Sequence, residues 1–452
     1  MVSHERRDAR AVRGVASRVA VSAMPHPSRV KVTDVIITPV AFRDPPLLNA
    51  LGVHEAWALR TIVQVETNEG FVGLGETYGD ALTLDALTVV SDLLVDLDPF
   101  DLNGLRTIID TALHVVEPDE HALIVAPGTS HRNLANSVFG AFEVAFLDLQ
   151  GQSVGRPISD LLGGAIRPRV DFAGYLFYKF ARHIDEPDDA ADDPWGEALT
   201  PEGIVEQART MVDHFGFRSL KLKAGVFDPD VEIATILKLA ETFPDHPLRL
   251  DPNTAWTVDT SIDVGRRLRA HLDYLEDPTA GARTMAQVAQ ATGLPIATNM
   301  LVTHLDDVPE AIEQGAVQIL LSDHHYWGGL RATQHVATLC GVWDIGVSMH
   351  SNSHLGISLA AMAHVASATP GLTYACDTHY PWLREDVIQG GLIRFEQGAF
   401  RVPTDPGLGV RLDHAALDRM HQQYRDAPVR SRNDVKEMQK YDPSWTGTLP
   451  RF

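Results

Sequence analysis

Two lysines stand one residue apart in the stretch RSLKLKAG, residues 218 to 225. The residues around them have the pattern of a strand, in which positions i and i+2 point to the same side. Lys221 and Lys223 are therefore expected to lie close together, although their positive charges repel each other. Such a pair is either exposed to solvent or part of a site that needs positive charge and one amine able to give up its proton.

The surrounding chain predicts a fold in which strand ends meet. From about residue 170, short β-rich runs alternate with helical patterns at intervals of roughly 22 to 28 residues after a longer first interval, which is the size of a βα unit. An open doubly wound sheet would show the same alternation. The count of eight runs, and the absence of a glycine-rich phosphate-binding motif, favour an α/β fold of the (β/α)8-barrel type. The runs are DFAGYLFYK, FRSLKLK, PLRLDPN, LDYLEDP, PIATNM, QILLSDHH, IGVSMHS and LTYACDT.

Strand and helix patterns before the barrel predict a second, smaller module. Alternating strand patterns run to Gly79 and include a turn at residues 68–70, and helical patterns follow. After about residue 390, further hairpin-like strand patterns indicate that the chain returns to this module. The expected division is an α+β capping domain at 31–165, a barrel at 166–390 and a C-terminal segment at 391–452 that completes the cap.

Two segments have separate interpretations. Residues 1–30 are rich in Arg and Ser without an apolar core of signal-peptide length. They are expected to be a disordered extension, or to reflect a start codon placed too early with Met24 as the true start, and a transit peptide is the remaining alternative. Residues 185–197, DEPDDAADDPWGE, are dense in acids and prolines. They predict a solvated surface loop or a lid.

Polar residues close nearly all of the predicted barrel strands. Active sites in (β/α)8 barrels lie at the carboxyl ends of the strands. These residues would therefore face one site, and the lysine pair would be part of it. They are Lys221, Lys223, Asp251, Asn253, Glu276, Asp277, Asn299, Asp323, His324, His325, His350, Asp377 and His379.

Three successive strand ends offer oxygen ligands for a metal ion. Asp251, Glu276 and Asn299 provide two carboxylates and an amide, without thiolate or imidazole. Hard oxygen ligands of this kind suit Mg²⁺, whose octahedral shell is completed by water and substrate. We therefore predict a magnesium site at the mouth of the barrel.

Two further side chains are candidate bases. A metal ion and Lys221 nearby would favour the neutral amine of Lys223, which could then accept a proton. His350 would be a second base, with Asp323 at the end of the preceding strand holding one of its ring nitrogens. These parts suit the removal of a proton next to a carboxylate, because a divalent metal and Lys221 can stabilise the ene-diolate that results.

At these residues the chain resembles the enolase superfamily, and within it the glucarate dehydratases. The resemblance runs from about residue 31 to the C-terminus and rests on the ordered set of metal ligands, the K-x-K pair and the Asp/His pair. It implies an enolase-like modified barrel with a capping domain, and Mg²⁺ held by Asp251, Glu276 and Asn299. The motifs that carry it are NALGVHE, GYLFY, KLKAG, LDPNTAW, ATNM, MHSNSHLGISLA and DTHYPW.

The resemblance also implies roles for individual residues. Lys223 would be the base on one face of the substrate and His350, paired with Asp323, the base on the other, while Lys221 and Asn253 would stabilise the ene-diolate. The substrate would be a sugar diacid, D-glucarate and also its C5 epimer L-idarate, which would lose water to give a keto-deoxy diacid. The residues that bind this diacid would be Asn49, His54, Thr129, Tyr175, His379 and Arg432.

One departure and three rival functions stay open. Similar chains carry a second glutamate shortly after the E-D-P motif, whereas EDPTAGAR here has none, so the third ligand is Glu276 or a neighbouring acid. An epimerase or racemase would use the same two bases without expelling water. A metal hydrolase is disfavoured, because no glutamate lies between His350 and His354 as in a zinc-binding helix. A catalytically silent binding protein is disfavoured because the set of candidate bases and ligands is otherwise complete.

The composition limits the class of partner. With 60 acidic against 38 basic residues, the formal net charge is −22, which argues against binding to nucleic acid. The two cysteines, Cys340 and Cys376, predict no disulfide framework and a cytoplasmic location. No apolar run approaches the roughly 18 residues of a membrane span. The expected partner is a small-molecule acid, and a barrel with a capping module is expected to form a homo-oligomer.

Overall fold

The structure, a computed structural model, describes residues 30–113, 133–186 and 193–452. Thr129, residues 1–29 and part of the acidic stretch at 185–197 lie outside these ranges. The strands are β1 (Val32–Arg43), β2 (Leu48–Asn49), β3 (Gly52–Val53), β4 (Trp57–Thr67), β5 (Val72–Tyr78), β6 (Arg169–Phe177), β7 (Leu220–Lys223), β8 (Leu248–Asp251), β9 (Leu272–Glu276), β10 (Ile296–Thr298), β11 (Ile319–Ser322), β12 (Gly346–Met349), β13 (Cys376–Thr378) and β14 (Ala399–Arg401). The α-helices are α1 (Ala81–Ser91), α2 (Leu102–Ala112), α3 (Leu134–Val154), α4 (Ile158–Leu161), α5 (Pro201–Phe215), α6 (Pro229–Thr242), α7 (Val258–Leu268), α8 (Ala282–Thr292), α9 (Val308–Gln314), α10 (His324–Trp327), α11 (Leu330–Val342), α12 (Gly356–Ser367), α13 (His414–Asp426) and α14 (Asp434–Met438).

Within the described ranges, eight parallel strands form a nearly closed barrel, which confirms the predicted fold class. Their order is β12-β11-β10-β9-β8-β7-β6-β13, so each strand from β6 to β11 pairs with the next one along the chain. Between β12 and β13 the ring is completed by Val347, which forms a parallel bridge with Leu372 shortly before β13. A helix follows every strand from β6 to β12, whereas a 3-10 turn, Tyr380–Trp382, follows β13. This is a modified barrel, in which the eighth strand lacks its own outer helix.

The barrel strands are short and buried on both faces. β7 (LKLK) and β8 (LRLD) are buried at every position, because the barrel interior lies on one side and the helices on the other. Their charged residues therefore need partners inside the protein. The helices carry their own boundary signals. The side chain of Thr200 accepts a hydrogen bond from the N–H of Gly203 at the start of α5, and the helix ends at Gly216 with a φ of 72°.

The capping domain packs an antiparallel sheet against helix α3. The sheet has the order β1-β4-β5, and the predicted turn at 68–70 joins β4 to β5. α3 is buried along almost its whole length, because it lies between this sheet and the barrel helix α10. Gly73 and Gly75 let β5 approach α3 closely, since a Cβ atom would lie 2.2 Å from the backbone oxygen of Ala145 or 2.1 Å from that of Ala141. The cap is thereby attached to the part of the barrel that follows β11.

The first part of the C-terminal segment differs from the hairpin that the sequence predicts for the cap. β14 pairs antiparallel with β6, and Phe400 lies opposite Val170. The reason is that β6 begins at Arg169 but pairs with β7 only from Gly174 onward, which leaves backbone groups at its start for another strand. The chain returns to the cap afterwards, with α13 against β1 and α14 against β3. The segment therefore supports the amino end of the barrel before it completes the cap.

Both cysteines are buried thiols. Cys340 and Cys376 are free, and burial raises the pKa of the first to about 11 and of the second to about 12, so neither is a thiolate at neutral pH. Among the helices in the described ranges, none has both the length and the apolar character that crossing a membrane would require.

Candidate active site

The carboxyl ends of the barrel strands, together with the loop that carries β2 and β3, enclose one pocket. Thr129 lies outside the described residues. Lys221, Asp251, Glu276 and Asp323 are buried side chains at the same strand ends. Of the strand-end residues that the sequence assigns to one site, four more are buried and do not line the pocket, namely Asp277, His324, His325 and Asp377. The remaining predicted residues line it, and they are Asn49, His54, Tyr175, Lys223, Asn253, Asn299, His350, His379 and Arg432.

Lys221 is surrounded by three carboxylates. Its Nζ donates to Glu276 Oε1 at 2.7 Å and to Asp377 Oδ2 at 2.7 Å, and it lies 3.3 Å from Asp251 Oδ2. Burial alone would lower the pKa of Lys221, but Asp377 and Glu276 outweigh that effect and raise the pKa well above its ordinary value. Lys221 is therefore held as a cation and is unsuited to act as a base.

Lys223 has a different environment, two residues further on. Its Nζ donates to Asp251 Oδ2 at 2.7 Å, and its side chain lines the pocket. The ammonium groups of Lys221 and Lys223 also lie over the ring of Tyr175, at 4.8 Å and 5.8 Å from its centroid. The shared carboxylate and the aromatic ring explain how two lysines can stand side by side.

Three oxygen-bearing side chains fit a divalent cation. Glu276 Oε2 and Asn299 Oδ1 are buried and have no hydrogen-bond partner within the described part of the chain, although buried polar atoms are almost always paired. Burial and the charge of Asp251 raise the pKa of Glu276 well above its ordinary value. The positive charges near Glu276 therefore do not balance the negative charges of the carboxylates. For Asp251, burial acts in the same direction, but Lys223 and Lys221 outweigh it and hold its pKa at about 2. A hard cation such as Mg²⁺ would satisfy both open oxygens and balance the charge.

Asp277, the neighbouring acid, has both of its oxygens engaged. Oδ1 accepts a hydrogen bond from Thr298 Oγ1 at 2.5 Å, and Oδ2 accepts one from the backbone N–H of Asn299 at 2.9 Å. Glu276, which keeps one open oxygen, is thus better placed than Asp277 to contact a cation. Asp277 instead fixes the backbone from which the Asn299 side chain projects.

A buried aspartate orients His350. The Nδ1 atom of His350 lies 3.0 Å from Asp323 Oδ2. Burial would raise the pKa of Asp323, but His325 and His350 outweigh it and hold the pKa well below its ordinary value. Since an ionised carboxylate only accepts hydrogen bonds, His350 Nδ1 carries a proton, and in the neutral ring Nε2 keeps a lone pair.

The two candidate bases reach the pocket from different sides. Lys223 lies on β7, and His350 directly follows β12. Around the ring of strands, β6 and β13 separate them on one side and β8 to β11 on the other. A planar carbon centre held between these two side chains could therefore lose or gain a proton on either face.

Polar residues from the cap and the C-terminal segment form another wall of the pocket. Arg432 Nε and Nη2 donate to the two oxygens of Asp434, at 2.6 Å each. Asn49 Nδ2 donates to the same carboxylate at 2.6 Å. The Arg432 side chain also lines the pocket. This wall is suited to bind an anionic group.

Two histidines that line the pocket, one from the cap and one after β13, are held in their neutral form. The rings of His54 and His379 are stacked, with their centroids 6.1 Å apart. Burial, and then Arg432, lower the pKa of His54 although Asp44 lies 2.9 Å from its Nδ1. Burial, and then His54, lower the pKa of His379. Both rings can therefore contribute hydrogen bonds rather than fixed charge.

Two acids without an assigned role from the sequence hold residues of the site. Asp377 is the middle residue of the short strand β13 and accepts a hydrogen bond from Lys221. It is one of the polar residues that close the predicted barrel strands, and that position was the available signal. Asp434 stands two residues after Arg432, and this close spacing of opposite charges was a usable signal for the pair.

Two family models match the chain. Residues 32–163 match the mandelate racemase / muconate lactonizing enzyme N-terminal domain. Residues 203–416 match the family described as enolase C-terminal domain-like. The first match spans β1 to α4, and the second spans the barrel from α5 to the start of α13.

Three similar proteins cover nearly the whole chain. A protein from Streptomyces coelicolor A3(2), named probable glucarate dehydratase, is 48% identical over 429 residues, which cover 93% of this chain and 99% of the relative. The crystal structure of an enolase from Pseudomonas fluorescens Pf0-1 with bound magnesium, potassium and tartrate has 50% identity and a TM-score of 0.91, covering 94% of this chain and 99% of that one. An enolase from Thermobispora bispora, complexed with magnesium and formate, has 50% identity and a TM-score of 0.89, covering 93% and 100%.

Proposed function

The chain belongs to the enolase superfamily, and we propose that it is a Mg²⁺-dependent dehydratase of a sugar diacid. D-Glucarate is the first substrate to test, and its C5 epimer L-idarate is the second. One observation carries the proposal: a single pocket is lined by Asn299 and Lys223 at the strand ends and by Arg432, Asn49 and His54 on another side. The relative named probable glucarate dehydratase, and the enolase that binds magnesium and the diacid tartrate, support it.

The carboxylate next to the reacting carbon would bind at the strand ends. Asp251, Glu276 and Asn299 would hold Mg²⁺, which when bound makes the proton next to a coordinated carboxylate more acidic. Lys221 would supply a fixed positive charge for the negative charge that develops on the carboxylate oxygens. Asn253 would assist from the pocket wall, where its backbone N–H donates to Asp251 Oδ1 at 3.1 Å.

The two bases would remove the α-proton from opposite epimers. Lys223 would take the proton that one C5 epimer presents, and His350 Nε2 the proton that the other presents. The electron pair of the C–H bond would first pass to the carboxylate and give an ene-diolate, and it would then form the C=C bond as the β C–O bond breaks. For the epimer whose α-proton His350 removes, His350 would give that proton to the departing hydroxyl, which leaves as water. For the other epimer, His350 would begin the cycle as the imidazolium and donate its Nε2 proton in the same way. The enol product tautomerises to a keto-deoxy diacid.

An epimerase is the second candidate function. Bases on both sides of the pocket could remove the α-proton on one face and return a proton on the other without loss of the hydroxyl. The hydrolase alternative has less support. Asp323, His324 and His325 do lie close enough together to suggest a metal site, but the oxygens of Asp323 are already bound by His325 and His350.

Product analysis in D₂O tests the proposal. The protein is incubated with Mg²⁺ and a panel of C4 to C6 sugar monoacids and diacids, and the products are identified by proton NMR. A keto-deoxy product from D-glucarate or L-idarate supports the dehydratase. Deuterium incorporation without loss of water would favour the epimerase, and turnover of a different acid would move the substrate assignment. No reaction with any acid, while Mg²⁺ still binds, would refute the proposed activity.

Arg432→Ala is expected to raise the KM for the diacid by about 10- to 100-fold, since a hydrogen bond between charged groups is lost. Steady-state kinetics with D-glucarate measure this effect. D-Gluconate, which lacks the second carboxylate, is the matched substrate, and any turnover of it should change by less than about threefold. An equal loss with both acids would contradict a role for Arg432 in binding the distal carboxylate.

Asp377→Asn is expected to lower kcat by about tenfold with little change in KM, because one charged hydrogen bond to Lys221 is weakened. If Asp251 and Glu276 bind a metal ion, Asp377 becomes the main carboxylate partner of Lys221. Steady-state kinetics at saturating Mg²⁺ measure the change, and a thermal unfolding curve shows whether the variant is folded. An unchanged kcat in a folded variant would mean that Lys221 needs no help from Asp377.

A further inference from the structure

The carboxylate that orients His350 is itself held on its other oxygen. Asp323 Oδ1 accepts two hydrogen bonds from His325, one from the backbone N–H at 2.9 Å and one from the ring Nδ1 at 2.8 Å. Asp323 Oδ2 is 3.0 Å from His350 Nδ1. His354 Nε2, at 3.9 Å from Oδ2, is beyond hydrogen-bond distance. The carboxylate is thus shared between two histidines, of which His350 lines the pocket.

The ring of His325 is fully buried and is held at both nitrogens. Because Asp323 only accepts hydrogen bonds, His325 Nδ1 carries a proton whether the ring is neutral or charged. On the other side of the ring, Nε2 lies 3.2 Å from each of Arg60 Nη2, Ser358 Oγ and the backbone oxygen of Glu76. The ring therefore cannot turn without losing contacts at both ends.

Arg60 and Glu76 connect the capping domain to this arrangement. They lie on β4 and β5, and Arg60 Nε donates to Glu76 Oε1 at 2.8 Å. The two carboxylate oxygens of Glu76 accept hydrogen bonds from the backbone N–H groups of Leu355 and Ser358, at 2.8 Å each, at the start of α12. The cap, the first turn of α12 and His325 form one buried hydrogen-bonded unit behind Asp323.

We propose that His325 is a positioning residue for the His350 side of the site. By binding Oδ1 it directs Oδ2 of Asp323 towards His350, which keeps the lone pair of His350 Nε2 available to the pocket. Lys223 is bound by Asp251 on β8 and has no hydrogen bond to this unit. Loss of the His325 donor should therefore impair one base and spare the other. The kinetic test of this inference rests on the proposed two-base reaction, whereas a spectroscopic test does not.

Two substitutions distinguish loss of the Nδ1 hydrogen-bond donor from loss of the imidazole ring. His325→Leu removes the Nδ1 donor and keeps a side chain of similar size. His325→Asn places an amide N–H near the position of Nδ1 and so retains a donor for Asp323. Both variants lose the Nε2 contacts with Arg60 and Ser358. A difference between them therefore reports the hydrogen bond to Asp323.

The kinetic test follows loss of the α-proton from D-glucarate and L-idarate separately, by proton NMR in D₂O. His350→Asn identifies the epimer that depends on His350. For that epimer, His325→Leu is expected to slow proton loss by about 10- to 100-fold, as for a lost hydrogen bond to a charged group. The other epimer should change by less than about threefold, and His325→Asn should recover most of the rate. Equal losses for both epimers, or no loss for either, would refute the positioning role.

The spectroscopic test needs no substrate. Long-range proton–nitrogen spectra of the full chain labelled with ¹⁵N-histidine show which ring nitrogen of His350 is protonated, and His350→Asn assigns the signal. The wild type and His325→Asn are expected to show the Nδ1–H tautomer, and His325→Leu a mixture. An unchanged His350 signal in His325→Leu would overturn the inference even in an active enzyme. A changed signal in a protein that binds Mg²⁺ but turns over none of the acids in the panel would support the inference and refute the proposed function.

Discussion

Replacing Lys223 with alanine is expected to slow α-proton loss from one C5 epimer of the diacid by about 10²- to 10⁴-fold, the usual contribution of a positioned general base. Lys223 lines the pocket, whereas Lys221 is kept protonated by three carboxylates and cannot replace it. The rate is measured by proton NMR in D₂O at saturating Mg²⁺, with each epimer in a separate experiment. The epimer that loses its proton to His350 should be much less affected.

Two matched variants test whether a slow Lys223→Ala variant has lost a base or only a positive charge. His350→Asn is expected to show the opposite preference and to slow the epimer that Lys223→Ala spares. Lys223→Arg keeps a positive charge beside Asp251, but a guanidinium does not act as a base at neutral pH. It should therefore be as slow as Lys223→Ala with the same epimer. Retained activity in Lys223→Arg would mean that Lys223 acts only through its charge.

Loss of the metal site would not explain a slow Lys223→Ala variant. Lys223 and Lys221 together oppose the effect of burial and hold the pKa of Asp251 at about 2, so removal of one cation leaves a second beside the carboxylate. A nearby positive charge also competes with a metal ion for the same oxygen. Calorimetric binding of Mg²⁺ should therefore be as tight in Lys223→Ala as in the wild type, or tighter.

The barrel and the contents of its mouth could be predicted from the sequence for one physical reason. A buried parallel strand is mostly apolar, so a polar residue at its carboxyl end is a recognisable signal in the sequence. In a barrel, that end of the strand is where the active site lies. Lys223, Asp251, Glu276 and His350 all occupy such positions. The periodicity and the strand-end chemistry therefore supported the same fold.

The surroundings of these residues could not be predicted, because they depend on distant parts of the chain. His325 stands in the same DHH run as Asp323, and the local pattern does not tell whether its ring faces the pocket or lies behind it. Its partners Arg60 and Glu76 are 265 and 249 positions away in the sequence. The pairing of β14 with β6 was missed for the same reason, since a strand pattern does not identify its partner strand.

Removal of the metal with EDTA is expected to abolish turnover of the diacid, by about 10³-fold or more, and Mg²⁺ should restore it. The substitution Glu276→Gln tests which acid is responsible. It keeps the shape of the side chain but removes one negative charge, and affinity for a hard cation depends on the charge of its ligands. Binding of Mg²⁺, measured by calorimetry without substrate, is expected to weaken at least about tenfold.

Asp277→Asn is the control that decides between the two neighbouring acids. Both oxygens of Asp277 are engaged with Thr298 and the backbone of Asn299, whereas Glu276 Oε2 has no partner in the described part of the chain. The Asp277 variant should therefore weaken Mg²⁺ binding less than Glu276→Gln does, and only by shifting Asn299. The reverse order would make Asp277 the third ligand and leave Glu276 as a partner of Lys221 alone. In that case the open oxygen of Glu276 would instead face the substrate, and its removal should change KM for the diacid more than the affinity for Mg²⁺.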